Sequence, residues 1–474
     1  METDAPGGYF GRALVVDAAD ASADVLPLSA AVLRRYIGGV GLGTWLMHHL
    51  APVGVDPLHP ESPLAFVFSP LVGTPLTTSA KFAVVGKSPL TGLLNDALSS
   101  SHFAIAGKLT GNDAIVVHGR AERPSVLLVD GDGARIEPAE DLWGLTADEA
   151  EERLRERLGK GWRVASIGPA GEQQIRYATI SHDGRHAGRG GLGAVLGAKL
   201  IKAVAVRAAT KVAPHDQPGL LAAARDLRTR SFGPATAKYR ELGTLANLLA
   251  FNAISTLPTR NFQAATFGEA PNLAAEELAE ALAVHVKGLE LPGYEPRTLQ
   301  AMALGLAVNS RGADHNRSGA YEADLGGELD RLHGDARHAV AAIETEDRAA
   351  VMDSLILCKF LRGVFTDPWR EWAELLEKVT GWDVDAEELR ATARRIVLAK
   401  RMFNLREGWK PADDWLPDRF LSEPLELSSG RSAALSPERL RSMIDAYYEE
   451  RGLDAAGLPG SGQLADMELD VFVY

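Results

Sequence analysis

The sequence predicts an α+β protein, β-rich in its N-terminal half and mostly α-helical in its C-terminal half, and three observations carry that reading. Short β-branched and apolar runs alternate with Gly, Pro, Ser and Thr up to about residue 210. Past residue 215 the apolar spacing becomes helical. Between them, Thr210–Pro218 is a Lys-, Ala- and Pro-containing connection that reads as a boundary, giving domains 1–210 and 211–474.

The strands predicted in order are Ala13–Asp17, Leu64–Phe68, Phe82–Gly86, Ala114–His118, Ser125–Asp130, Arg163–Ile167, Ile175–Ser181 and Ala203–Arg207. Each is a short apolar run closed by turn residues. Two helices interrupt them. Ser29–Ile37 is one, and Thr146–Leu158 is the other, with Asp148, Glu149, Glu151 and Glu152 in its early turns, where the helix dipole favours acids. The second half reads as helices at Leu220–Thr229, Tyr239–Phe251, Leu273–Val286, Leu299–Val308, Asp335–Glu344, Ala349–Leu361, Trp369–Thr380, Ala386–Asn404 and Pro437–Arg451.

Composition narrows the function. The chain has 474 residues, 46% of them hydrophobic, enough for large cores. Its formal charge of −13 argues against broad attraction to nucleic acid or anionic membrane. The acidic, Gly/Pro-rich start lacks the features of a signal peptide, and no apolar run is long enough to span a bilayer. With one cysteine, Cys358, no intrachain disulfide can form, which fits a reducing compartment. The expectation is a cytoplasmic protein acting on a small molecule, with neither nucleic acid nor membrane as partner.

Several segments carry chemistry. Gly38-Gly39-Val40-Gly41-Leu42-Gly43 follows a helical pattern, not a strand, so a turn needing positive φ is favoured over a dinucleotide loop. Arg185-His186-Ala187-Gly188-Arg189-Gly190-Gly191 follows a strand and precedes an apolar stretch. It could form an anion-binding nest, or be a glycine-rich loop packed tightly against a helix. Ser99-Ser100-Ser101-His102 reads as a solvated loop after a strand and turn. Ser310-Arg311-Gly312-Ala313-Asp314-His315-Asn316-Arg317 places an imidazole among cations and an acid, a source of acid–base chemistry or a solvated loop. Asp353 and Leu357 fall on one helical face, with Cys358 beside them amid Leu and Ile.

These segments together resemble the aldehyde ferredoxin oxidoreductase family, whose members hold a tungsten or molybdenum bis-pterin and a nearby four-iron cluster. The resemblance runs from Tyr9-Phe10-Gly11 through Lys87-Ser88-Pro89-Leu90-Thr91-Gly92 and Ala187–Ala194 to Arg311–His315, Asp353–Cys358 and Phe403-Asn404-Leu405-Arg406-Glu407-Gly408. It implies a saddle-like N-terminal domain cradling the pterins, helical domains beyond it, and often a homodimer. At pterin-contacting positions it puts Arg185, Ala187, Gly188, Arg189, Arg297 and Asp353, with Lys81 where the family has arginine.

The departures matter more. Of four cluster cysteines only Cys358 is kept, and a family segment between Phe262 and Lys287, holding the other three, is missing. The family's Asn-Ser-Gly-Gly at the pterin phosphates becomes Leu98-Ser99-Ser100-Ser101, and leucine offers magnesium no side-chain oxygen. No [4Fe-4S] cluster is expected, and a tungsten- or molybdenum-pterin is the lesser expectation. The resulting reading is a repurposed enzyme whose side chains perform isomerisation, cyclisation or elimination on a small organic substrate. His315, His186, His102 and Asp353 are its candidate acids and bases, with Lys81, Arg185 and Arg189 as anion or carbonyl binders. The alternatives are a metal-pterin oxidoreductase using an external electron carrier, and a non-catalytic scaffold.

Overall fold

The computed structural model describes residues 5–241, 246–268 and 285–473. Contacts divide it into two compact units, one running to Ser231 and taking back Ala350–Glu407, the other comprising Phe232–Ala349 and Gly408–Val473. A single cut near residue 210 does not describe this division. The reason is a core of Leu220, Ala224 and Leu227 with Val351, Trp369, Trp372 and Leu376, which returns distant helical segments to the first unit.

Among the described residues, twelve strands build the first unit: β1 (Arg12–Asp17), β2 (Ala23–Pro27), β3 (Leu64–Val67), β4 (Lys81–Lys87), β5 (Leu94–Ser100), β6 (Ala114–His118), β7 (Ser125–Asp130), β8 (Gly133–Pro138), β9 (Trp162–Ser166), β10 (Ile180–His182), β11 (Arg185–Ala187) and β12 (Ile201–Arg207). They form two six-stranded sheets, ordered β2-β1-β6-β3-β4-β5 and β11-β10-β9-β12-β7-β8. The helices among them are α1 (Ala30–Tyr36), α2 (Gly39–Leu50), α3 (His102–Lys108), α4 (Ala147–Leu158), α5 (Pro169–Glu172) and α6 (Leu192–Ala198). Helices α3 and α6 touch strands of both sheets and so lie between them, while α2 covers the first sheet and α4 the second. Capping follows the sequence: Ser29 Oγ accepts from Val32 N, and Thr146 with Glu149 closes a capping box.

The chain continues through α7 (Gln217–Ser231), α8 (Pro234–Glu241), α9 (Ala246–Ala253), α10 (Gln300–Val308), α11 (His315–Ser318), α12 (Tyr321–Leu325), α13 (Ala336–Leu355), α14 (Pro368–Thr380), α15 (Ala386–Arg406), α16 (Arg419–Ser422), α17 (Pro437–Arg451) and α18 (Ser461–Asp466). The helix expected at Leu273–Val286 lies outside the described residues except for its last two, which form a short strand. The helices expected at Asp335–Glu344 and Ala349–Leu361 are one helix, α13, which stops at Leu355 because Ile356 turns to φ 64°. Asp353 and Leu357 therefore do not share a helical face. The serines expected in a solvated loop are instead the end of β5 and, at Ser101, the N-cap of α3.

Strand β5 is secured to α15 by buried charge. Lys400 Nζ lies 2.5 Å from Asp96, and Asn404 Oδ1 accepts from Leu94 N at 2.9 Å. At the same end of the β4–β5 pair, Lys87, opposite Leu94, pairs with Glu407 at 2.5 Å and donates to the Val55 carbonyl at 2.7 Å. Removing one partner of such a pair leaves a desolvated charge. Lys400→Met should cost about 3–5 kcal/mol in urea unfolding, and adding Asp96→Asn should restore most of it.

Candidate functional site

In the first unit the β10–β11 hairpin turns through Asp183 and Gly184, both at positive φ (46° and 66°), the geometry of a two-residue hairpin. That turn carries His182 against the start of α3, where its Nδ1 lies 2.6 Å from Ser101 Oγ. The ring is fully buried and meets Phe82 edge-on at 4.8 Å. Among the described residues its Nε2 has no hydrogen-bond partner. Burial pushes its pKa down to about 4, so the imidazole is neutral.

Asp183 accepts from His102 N at 3.1 Å and pairs with Arg155. Burial works to raise its pKa, but Arg155, the His102 amide and Ser101 together outweigh it and hold the carboxyl below its usual range. Glu151 accepts from Asp183 N at 3.0 Å, and burial raises its pKa. His186 Nδ1 lies 2.9 Å from Ser181 Oγ. The structure thus gathers His102, Arg185 and His186 at one hairpin, with all three exposed. Sequence reasoning missed His182 and Asp183, although the Asp-Gly turn flanked by alternating residues was the available signal, and it named Ser101 only as a loop residue and a replacement for glycine.

The pterin-type positions occupy varied settings. Lys81, half-buried, sits opposite Ser100 across β4 and β5. Ala187 is buried and Gly188 exposed, and the Arg189 carbonyl accepts from Asn95 Nδ2 at 3.1 Å. The glycines beyond have packing reasons. Gly190 and Gly191 adopt φ 80° and 74°, and a Cβ on either would overlap Asn95 or the Arg176 carbonyl. Asp353 is 1% exposed and 3.1 Å from Lys359 Nζ. Its neighbour Ser354 accepts from Gly41 N at 3.0 Å, so the first glycine cluster, entering α2 through Gly39 at φ 42°, packs against the Asp353 segment. Gly38 sits in the turn between α1 and α2, while Gly39 to Gly43 begin α2 itself.

In the second unit Arg297 is 1% exposed, and its guanidinium is committed inside the protein. It donates to Glu295 through Nε (2.8 Å) and Nη2 (3.1 Å), to the Glu423 carbonyl (2.8 Å) and to the Phe262 carbonyl, over the Phe420 ring. His315 opens α11, where Asp314 caps by accepting from Asn316 N and Arg317 N and pairs with Arg311. The His315 ring lies 5.1 Å from Tyr294 and 6.3 Å from Tyr321. Tyr294 and Tyr321 stack at 4.7 Å, and all three rings are half-buried. Neither tyrosine was singled out from sequence, because nothing in the spacing joins residues on either side of α10. Among the described residues no group of three or more His, Cys, Asp or Glu is placed to hold a metal ion, and no helix is long and apolar enough to cross a membrane.

This architecture, two sheets enclosing helices and a helical second unit, is shared with known enzymes. The active-site complex BamBC of benzoyl coenzyme A reductase, solved with 1,5-dienoyl-CoA, superposes with a TM-score of 0.73 over 98% of both chains at 18% identity, a likeness of fold. The profiles of the aldehyde ferredoxin oxidoreductase N-terminal domain and of domains 2 and 3 match residues 13–208 and 273–469. This chain belongs to the aldehyde ferredoxin oxidoreductase family, a family of enzymes. It is 27% identical to the tungsten-containing aldehyde ferredoxin oxidoreductase of Pyrococcus furiosus, covering 98% of this chain and 100% of that one. The alignment runs over 608 positions against 474 residues, so this chain is the shorter. It is also 30% identical to the WOR-like subunit of an aliphatic sulfonate oxidoreductase from P. furiosus, over 54% of this chain and 43% of that one.

Two buried imidazoles make the first unit acid-sensitive. Like His182, His48 is lowered to about 4, by burial first, with its Nε2 2.7 Å from the Ala399 carbonyl. The unfolded chain binds these protons near pH 6.5, and the folded chain only near pH 4. Their contribution is therefore complete above pH 6.5 and is lost as pH falls toward 4, up to roughly 3 kcal/mol for each. Urea unfolding should show stability falling over that window, and His182→Gln should flatten the fall.

Proposed function

We propose that this chain is a cofactor-depleted enzyme of its family, performing acid–base isomerisation, cyclisation or elimination on a small organic substrate, with His315 moving the proton. The observation that supports this most is the state of the retained pterin positions. Arg297 is spent on Glu295 and two carbonyls, and Asp353 is paired with Lys359, so neither presents the open charge a pterin phosphate or ring would need. Ser101, standing where the family keeps glycine, is turned to His182. One cysteine cannot replace four thiolates, so a [4Fe-4S] cluster does not fit, and no step is routed through either group.

Imidazole is the side chain that exchanges protons near neutral pH. At His315 it stands beside two phenols, which can donate to a carbonyl oxygen while the imidazole removes a proton from the neighbouring carbon and returns it elsewhere. Such a shift leaves the substrate's oxidation state unchanged. His102 and His186, exposed on the hairpin of the first unit, are assigned no proton transfer. The enzyme is read as cytoplasmic and homodimeric, in keeping with its family.

The second reading, a tungsten- or molybdenum-pterin oxidoreductase with an external carrier, is favoured by the end-to-end likeness to tungsten enzymes. Elemental analysis and pterin detection on protein expressed anaerobically with tungstate and molybdate separate the two. Metal well below stoichiometry is expected, and stoichiometric tungsten or molybdenum would replace the first reading with the second. Proton exchange into carbonyl compounds in D2O should fall by about 10²–10⁴ in His315→Gln and stay unchanged in His102→Gln and His186→Gln.

A further inference from the structure

Helix α10 is buried at all nine positions, and its N-cap residue, Leu299, offers no side-chain hydrogen bond. A buried helix start with unsatisfied amides is costly, so its cap must come from elsewhere. It comes from α12. Asp324, 3% exposed, accepts from Ala301 N at 3.0 Å through one oxygen and from Met302 N at 2.8 Å through the other. One turn earlier on the same short helix is Tyr321, stacked on Tyr294 and facing His315. Helix α11, which carries His315, also packs on α10.

We propose that Asp324 is a positioning residue for the His315 site: by capping α10 from α12 it fixes Tyr321 against Tyr294 and His315. The proposal rests on the functional reading above only in treating those three rings as the reacting site; the positioning itself is a matter of geometry.

The hold also depends on ionisation. A carboxylate accepts at both oxygens, whereas a protonated carboxyl turns one oxygen into a donor and gives up one amide. The titratable and charged groups facing Asp324 are His338 of α13 and Arg331 of the preceding loop, and Arg331 is occupied with the Thr298 carbonyl at 2.8 Å. Helix α10 itself contributes only apolar side chains and Gln300. Burial pushes the Asp324 carboxyl up to about 7, against the pull of the two amides, His338 and Arg331. The grip on α12 therefore loosens as pH falls below neutrality.

The test is NMR of protein carrying ring-labelled tyrosine, with Tyr321 and Tyr294 assigned by Tyr→Phe variants. In the wild type both resonances should shift between pH 8 and pH 6. In Asp324→Asn they should be independent of pH over that range, and in Asp324→Ala displaced throughout. Circular dichroism establishes that each variant is folded; should Asp324→Ala not fold, Asp324→Asn alone decides. The same titration in His315→Gln separates the two groups: a shift that survives there belongs to Asp324, and one that vanishes belongs to His315 and overturns the ionisation argument. Unmoved tyrosine resonances in a folded Asp324→Ala variant would overturn the positioning role. Neither outcome depends on tungsten content or turnover, so the functional reading can fail while this one stands.

Discussion

Much of the first unit depends on how little space lies between its two sheets. Helix α6 is buried at every position and touches β3 and β4 on one side and β12 on the other. A Cβ at Gly193 would overlap the Thr179 carbonyl, and one at Gly197 the Gly171 carbonyl. Close-packed interiors accept no such overlap, so glycine is required wherever backbone meets backbone. Gly190, Gly191 and Gly193 of the Arg185–Ala194 motif therefore have a packing explanation that requires no phosphate, whereas a Cβ at the exposed Gly188 would meet only His186 Cβ at 3.9 Å. The motif's hairpin in turn brings His182 to Ser101.

Buried charge supplies the second element of the design. Lys108 pairs with Asp113, whose carboxylate also receives the amides of Phe10, Gly11 and Arg12. Lys202 pairs with Glu172, Lys87 with Glu407 and Lys400 with Asp96. Several of these residues belong to the motifs that carry the family resemblance, which makes those motifs struts as much as ligand contacts. Arg297 with Glu295 and Asp353 with Lys359 follow the same rule. A charge neutralised in this way inside the protein holds structure.

Strands with continuous apolar runs, such as Ala114–His118 and Ser125–Asp130, were legible to the residue, because burial on both faces leaves no other composition. Strand β5 was not. Its Asn95, Asp96, Ser99 and Ser100 look like loop residues until the Arg189 carbonyl and Lys400 supply partners for Asn95 and Asp96. Helix α13 read as two because Glu346 and Asp347 interrupt its apolar pattern, and both are buried against Arg451 of α17. His315 was visible as a residue, but its tyrosines were not.

By itself the sequence determined the α+β class, the family, and the impossibility of four thiolates around a cluster, since composition, motif order and a single cysteine are local facts. Only the tertiary structure decided that Arg297 and Asp353 are neutralised, that the glycines of α6 serve packing, and that Asp324 of α12 caps the start of α10. Those are pairings between distant residues, and a polar side chain carries no mark of its partner until the fold brings the two together in a place without water.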